Sequence, residues 1–186
     1  MRCLYFIAIA LTNLLTAKYA PLHIAGGALI IPVGSLFAGG VFILRDFVQL
    51  RHGKGKTYDT ILWASVLSGA LSAALGDTAH VAAAGMAAFI VSEAADTEIF
   101  SRLQRSFPVR VMISGVVGAC LDSVIFVVLG LGPMGADMLP WAAVPSAILG
   151  QVLVKSILQV GVAGGLLLVY KKMKGKKAHE NITHKC

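Results

Sequence analysis

The sequence predicts an all-α, polytopic membrane protein: about six transmembrane helices in one bundle, with both termini on the cytoplasmic side. Three observations lead there. Hydrophobic residues make up 57% of the 186-residue chain and charged residues 13%, with a mean hydropathy of +0.80. A soluble domain would carry roughly a quarter charged residues. The apolar residues gather in runs of about 20, the length that crosses a hydrocarbon core. The Lys and Arg residues behind the net charge of +7 lie between those runs, in alternate loops. That is the positive-inside pattern of a membrane protein rather than a basic face for nucleic acid, so no nucleic-acid partner is expected.

The first span runs from Arg2 to Ala20 and stops at Pro21. The second covers Ala28 to Leu50 and ends in the basic loop Arg51-His52-Gly53-Lys54-Gly55-Lys56. The third covers Thr57 to Leu75 and the fourth Ala79 to Leu103. A second basic loop holds Arg102, Arg105 and Arg110, with Pro108 inside it. The fifth span runs from Val111 to Leu131, and a loop with Gly132-Pro133, Gly135, Pro140 and Pro145 follows. The sixth covers Ser146 to Tyr170. Residues 1–170 are thus expected to form the transmembrane domain, and 171–186 a basic, disordered cytoplasmic tail.

The loops after the second, fourth and sixth spans hold nearly all the Lys and Arg, which fixes them as cytoplasmic. The first span has some marks of a signal peptide, but removing it would spoil a charge pattern that works with six spans. Cys3, Cys120 and Cys186 are far apart, with no disulfide or zinc spacing. The third and fourth spans are rich in small residues, among them Gly69, Ala70, Ala73, Ala74 and Gly85. Such residues let helices pack closely in a bundle, or offer a docking face to a membrane partner subunit.

A charge at the bilayer centre costs about 2.5–3.5 kcal/mol, so each intramembrane charge needs a reason. The fourth span carries Glu93 and Asp96, three apart and on one face, while Glu98 lies four before Arg102 and reads as a helix-end ion pair. In the fifth span Ser114, Gly118 and Asp122 form one stripe, which Phe126 extends. In the sixth, Gln151, Lys155 and Gln159 do the same, and Lys155 is the natural partner of Asp122 or Glu93. Asn13 adds an amide from the first span. Arg45, Asp46 and Gln49 read as a structural pair or gate close to the cytoplasmic face. Phe89, four before Glu93, is placed to pack in the core or stack on a planar ligand; Trp63 and Trp141 suit interfacial positions.

Each of these polar residues has a plain reading, as a buried hydrogen bond or ion pair that holds helices together. They also suit a pocket for a small polar molecule with both donors and acceptors. Carboxylates would accept N–H bonds from the edge of a guanine-like ring, and an amide or Lys would donate to a ring carbonyl. His23, His52 and His80 are isolated, so neither a metal nor another cofactor is expected. There is no phosphate-binding glycine loop and no nucleophile–base pair, which argues against an ATPase or an enzyme.

The segment Ser92-Glu93-Ala94-Ala95-Asp96, with Phe100 and Leu103 after it, resembles a motif of the VUT family, the queuosine precursor transporters. Asp122-Ser123-Val124-Ile125-Phe126, after Ser114 and Gly118, is similar to that family's fifth helix. Phe42 to Gln49 and Gly150-Gln151 with Lys155 are similar to its second and sixth; Val154 and Gln159 depart from the sixth-helix pattern. The resemblance covers roughly residues 30 to 160. It implies a six-helix fold like that of the substrate-binding subunits of energy-coupling-factor transporters. It also implies uptake of a 7-deazaguanine such as 7-cyano-7-deazaguanine, across a prokaryotic plasma membrane.

The resulting expectation is a transporter whose substrate site comprises Asn13, Glu93, Asp96, Asp122, Gln151 and Lys155. A protonatable Glu93 or Asp122 offers a route for coupled proton movement. The alternative is a binding subunit that needs a separate ATPase module, docked on the stripe Gly69/Ala73 or Ala70/Ala74.

Overall fold

The computed structural model describes residues 1–19, 22–24, 29–31 and 33–183. Helix α1 covers Arg2–Lys18. A two-stranded antiparallel hairpin follows, β1 Leu22–Ile24 with β2 Leu29–Ile31, in the register Leu22↔Ile31, His23↔Ile30 and Ile24↔Leu29. Then come α2 (Ser35–Ala74), α3 (Ala79–Arg102) and α4 (Phe107–Phe126). A π-helical turn, Val127–Leu131, extends α4, and α5 covers Val144–Thr183. The chain is all-α apart from that hairpin.

Several boundaries depart from the expectation, each for a local reason. Ala28, the expected start of the second span, lies outside the described residues; Leu29–Ile31 is strand, and helix begins at Ser35. Ile30 and Ile31 are β-branched, and the position before Pro32 disfavours helix. The expected loop 51–56 shrinks to one residue: helix runs from Ser35 to Ala74, broken at Gly53 (φ 79°, ψ 168°). Gly34 and Leu75, just outside the two ends of α2, line the same cavity, so the chain doubles back at Gly53 and α2 is two antiparallel arms, 35–52 and 54–74. Pro108 opens α4 instead of sitting in a loop, because the first helical turn needs no N–H there. Helix α5 runs past Tyr170, the expected end of the sixth span, to Thr183.

Caps and turns set the remaining ends. Thr78 caps α3 by accepting from the Val81 N–H at 3.3 Å. Gly76, at φ 98°, makes the turn out of α2, and Ser72 donates to Asp77 at 2.5 Å across it.

Small residues let the helices meet. Gly69 of α2 packs on Met86 of α3. A Cβ on Gly118 of α4 would stand 3.2 Å from that of Asp96, and one on Gly130 would stand 3.2 Å from that of Ala84. Gly69 is therefore inside the bundle and is not available to a docking partner, which corrects half of the proposed docking stripe; Ala70, Ala73 and Ala74 are exposed.

Polarity is distributed inside out. Arg45, Asp46, Gln49, Glu93, Asp96, Gln151, Lys155 and Gln159 are buried. Trp63 is 68% exposed and Ile157 67%, with Leu62, Leu149 and Leu153 also outward. In water this arrangement would be costly on both counts. Among the described residues, Phe107–Leu131 (mean hydropathy 2.3) and Val144–Gly165 (1.5) are long and apolar enough to cross a membrane.

Candidate functional site

A cavity of about 260 Å³ lies between α1, both arms of α2, α3, α4 and α5. That is just under the roughly 300–1,000 Å³ typical of ligand pockets. Ala17, Gly34, Leu75 and Asp77 mark one end of it, and Glu93, Asp122, Gln151 and Lys155 the other.

The polar wall is built from α4 and α5. Gln151 and Lys155 are one turn apart on α5, so both reach the same point. Lys155 Nζ donates to Asp122 Oδ2 at 2.5 Å, to Gln151 Oε1 at 3.2 Å and to Ser123 Oγ at 3.3 Å. Of the two partners open to Lys155 in the sequence, the structure selects Asp122. The pair is mutually neutralised, which lowers the cost of placing both charges in the bundle. Asp122 keeps 22% of its side chain exposed, so the carboxylate still faces the cavity.

Glu93 forms the opposite polar point. One turn earlier on α3 sits Phe89; Phe42, Phe126 and Met86 add further apolar lining. A Cβ on Gly85 would stand 3.7 Å from the Phe126 ring, so the glycine leaves that ring room beside α3. Asn13 lies nearer the other end. Its amide donates to Ser68 Oγ and to the Ile9 carbonyl, each at 3.0 Å, and so ties α1 to α2.

Asp96 is not at the cavity. It shares a face with Glu93, as the spacing predicts, but turns behind the cavity floor to Arg45. Arg45 is the residue that sequence reasoning underrated. It was placed near the cytoplasmic face, yet it is fully buried and grips three carboxyls at once. Its Nη1 lies 3.0 Å from Asp46 Oδ1, its Nε 2.8 Å from Glu93 Oε2, and its Nη2 pairs with Asp96. Arg45 also donates to Gln49 Oε1 and to Thr97 Oγ1, and the Gln49 amide in turn donates to Ser101 Oγ at 2.8 Å. A signal was present: Arg45 lies eight residues before the Gly53 break, and at 1.5 Å per residue that is about 12 Å of depth. The assumed loop start at Arg51 concealed it.

Below Arg45 the bundle is closed. Phe47 and Phe107 stand 5.2 Å apart, Phe100 meets Phe107 edge-on at 6.0 Å, and Arg110 lies 3.9 Å over the Phe100 ring. Glu98 pairs with Arg102 at 3.4 Å, as expected, and also with Lys54 at 2.5 Å and the Tyr58 hydroxyl at 2.7 Å. Gln159 faces away from the cavity; its amide donates to the Val111 carbonyl at 3.0 Å. The cavity therefore reaches from one end of the bundle to mid-depth and stops on an ionic floor.

Five of the six residues singled out from the sequence, Asn13, Glu93, Asp122, Gln151 and Lys155, line this one cavity. Among the described residues no His, Cys, Asp and Glu group could hold a metal ion. Carboxyl groups on two sides, an ammonium and an amide beside one of them, and three Phe rings between suit a planar molecule with polar edges. Comparison with curated proteins and with solved structures found no match. The family model described as "Putative vitamin uptake transporter" matches residues 5–169, from α1 into α5, and the chain belongs to that family.

Proposed function

We propose that the chain is a six-span membrane transporter, with both termini cytoplasmic, that takes up a planar, nucleobase-like micronutrient. A queuosine precursor such as 7-cyano-7-deazaguanine is the substrate we favour. The observation that carries the reading is the cavity itself: Glu93 faces the Lys155–Asp122–Gln151 group across a gap bordered by Phe42, Phe89 and Phe126. Glu93 and Asp122 would accept ring N–H groups, Gln151 and Lys155 would donate to a ring carbonyl, and Phe rings would stack on the planar faces. The chain has no part in covalent chemistry on this reading.

Six spans follow if each arm of α2 crosses the membrane. Arg2 supports the orientation: its Nη2 donates to the Lys56 carbonyl at 3.1 Å, so the N-terminus lies at the end that carries the basic turn of α2. Arg102, Arg105 and Arg110 surround the α3–α4 turn at that same end. The opposite end carries Lys18 as its one described Lys or Arg near a helix terminus. The positive-inside rule makes the basic end cytoplasmic. The cavity then opens outward, above the Arg45 floor, and uptake requires that floor to part.

On this reading the chain is a multi-pass protein of a prokaryotic inner membrane, the location that the family resemblance implies. The exposed Ala70, Ala73 and Ala74 leave room for a second reading, a binding subunit that works with a separate ATPase module. Equilibrium binding of 7-cyano-7-deazaguanine to the purified chain, with guanine and biotin as competitors, tests the substrate. Saturable binding that is lost in Asp122→Asn supports it; absence of binding to folded protein rejects it.

A further inference from the structure

The charges around Arg45 do not balance. One guanidinium faces three carboxyls, Asp46, Glu93 and Asp96, and all four side chains are 0% exposed. Each carboxyl gives one oxygen to Arg45. The other oxygen of each, Asp46 Oδ2, Glu93 Oε1 and Asp96 Oδ1, has no partner among the described residues. An uncompensated buried carboxylate costs several kcal/mol, and the usual relief is to take up a proton.

A second observation says where. The Tyr5 hydroxyl is fully buried beside the Glu93 carboxyl, where it can donate to a carboxylate oxygen or accept from a protonated one. Of the three acids, Glu93 is the one that lines the cavity. A metal cation is a poor fit, because three nitrogens of Arg45 already occupy the centre of the carboxyl set.

We propose that Glu93 is a proton-binding site that opens onto the cavity. Oε2 accepts from Arg45 Nε–H, and Oε1 carries the proton and donates it to the Tyr5 hydroxyl oxygen. Loss of the proton breaks one O–H bond, passes H⁺ to cavity water, and leaves Glu93 a carboxylate held by Arg45. The groups that set this exchange are Tyr5 from α1, Arg45 and Asp46 from α2, and Asp96 one turn along α3. Asp122 of α4 and Lys155 of α5 face it across the cavity, and Arg110 of α4 bears on Asp46. Resting on the transport reading, the consequence is that solute movement carries a proton: Glu93 gains it while the cavity is open and gives it up when the floor parts.

Infrared spectroscopy of the empty, purified full chain tests the site without any ligand, so its outcome does not depend on which solute binds. A carbonyl band of a protonated carboxyl is expected near neutral pH. It should shift when the protein is made with carbon-13 glutamate, stay put with carbon-13 aspartate, and vanish in Glu93→Gln while surviving Glu98→Gln. The isotope comparison uses the unaltered chain and holds even if Glu93→Gln fails to fold. Tyr5→Phe should move the band by removing its hydrogen bond. Absence of the band, a band that follows the aspartate label, or one that persists in folded Glu93→Gln would overturn the proposal.

Discussion

Lys155 Nζ and Asp122 Oδ2 are 2.5 Å apart and belong to different helices, so each supplies the counter-charge that lets the other sit within the bundle. Removing one partner leaves a charge without compensation, whereas removing both leaves none.

Lys155→Met alone should therefore destabilise the protein by about 3–5 kcal/mol, the range for breaking a buried ion pair. Asp122→Asn should cost at least as much, because it strands the Lys155 ammonium, only 6% exposed, whereas Lys155→Met strands a carboxylate partly open to the cavity. The double variant should recover most of the folding loss of Lys155→Met. Thermal unfolding in detergent reads all three, and strictly additive losses would show that the pair is not coupled.

The turn in α2 makes a sharper local prediction. Gly53 holds φ 79° and ψ 168°, a region that only glycine enters freely. Gly53→Ala should cost on the order of 1–3 kcal/mol. Gly55→Ala, in helix with nothing within 4 Å of the added methyl, should be neutral or gain about 0.5–1 kcal/mol. Equal effects at the two positions would mean that the chain does not reverse at Gly53.

The sequence made the inner polar stripes legible because spacing alone decides them. Gln151 and Lys155 recur every four residues, and so do Ser114, Gly118 and Asp122, whose stripe puts Gly118 against Asp96. The same logic placed Glu93 and Asp96 on one face, where both meet Arg45. What was not legible was depth. Arg45 looked peripheral because its basic neighbours Arg51, Lys54 and Lys56 suggested a long loop, and only the glycine conformation at Gly53 shows how short the turn is. Nor does spacing reveal that Tyr5, on another helix, would adjoin Glu93.

Between α1 and α2, Asn13 and Ser68 are hydrogen-bonded at 3.0 Å. A double-mutant cycle with Asn13→Ala and Ser68→Ala should return a coupling of about 0.6 kcal/mol, the average for interhelical hydrogen bonds in membrane proteins. A coupling near zero would place the two side chains apart.

The outward apolar face predicts how the chain responds to a misplaced charge. Ile157 is 67% exposed and lies near the middle of the apolar stretch Val144–Gly165 of α5. In water Ile157→Lys would be harmless, but facing lipid it should cost up to about 2.5–3.5 kcal/mol. Reduced membrane insertion of Ile157→Lys, compared with Ile157→Leu, checks this; equal insertion would remove the lipid-facing assignment of α5.

The central claim is that the cavity between Glu93 and Lys155 carries a solute across the membrane. Its most direct test is uptake of labelled 7-cyano-7-deazaguanine into liposomes that contain this chain and no other protein. The account predicts saturable uptake, lost in Asp122→Asn and in Lys155→Met with Asp122→Asn. Binding without uptake would assign the chain to a multi-subunit system, and neither binding nor uptake by folded protein would contradict the account.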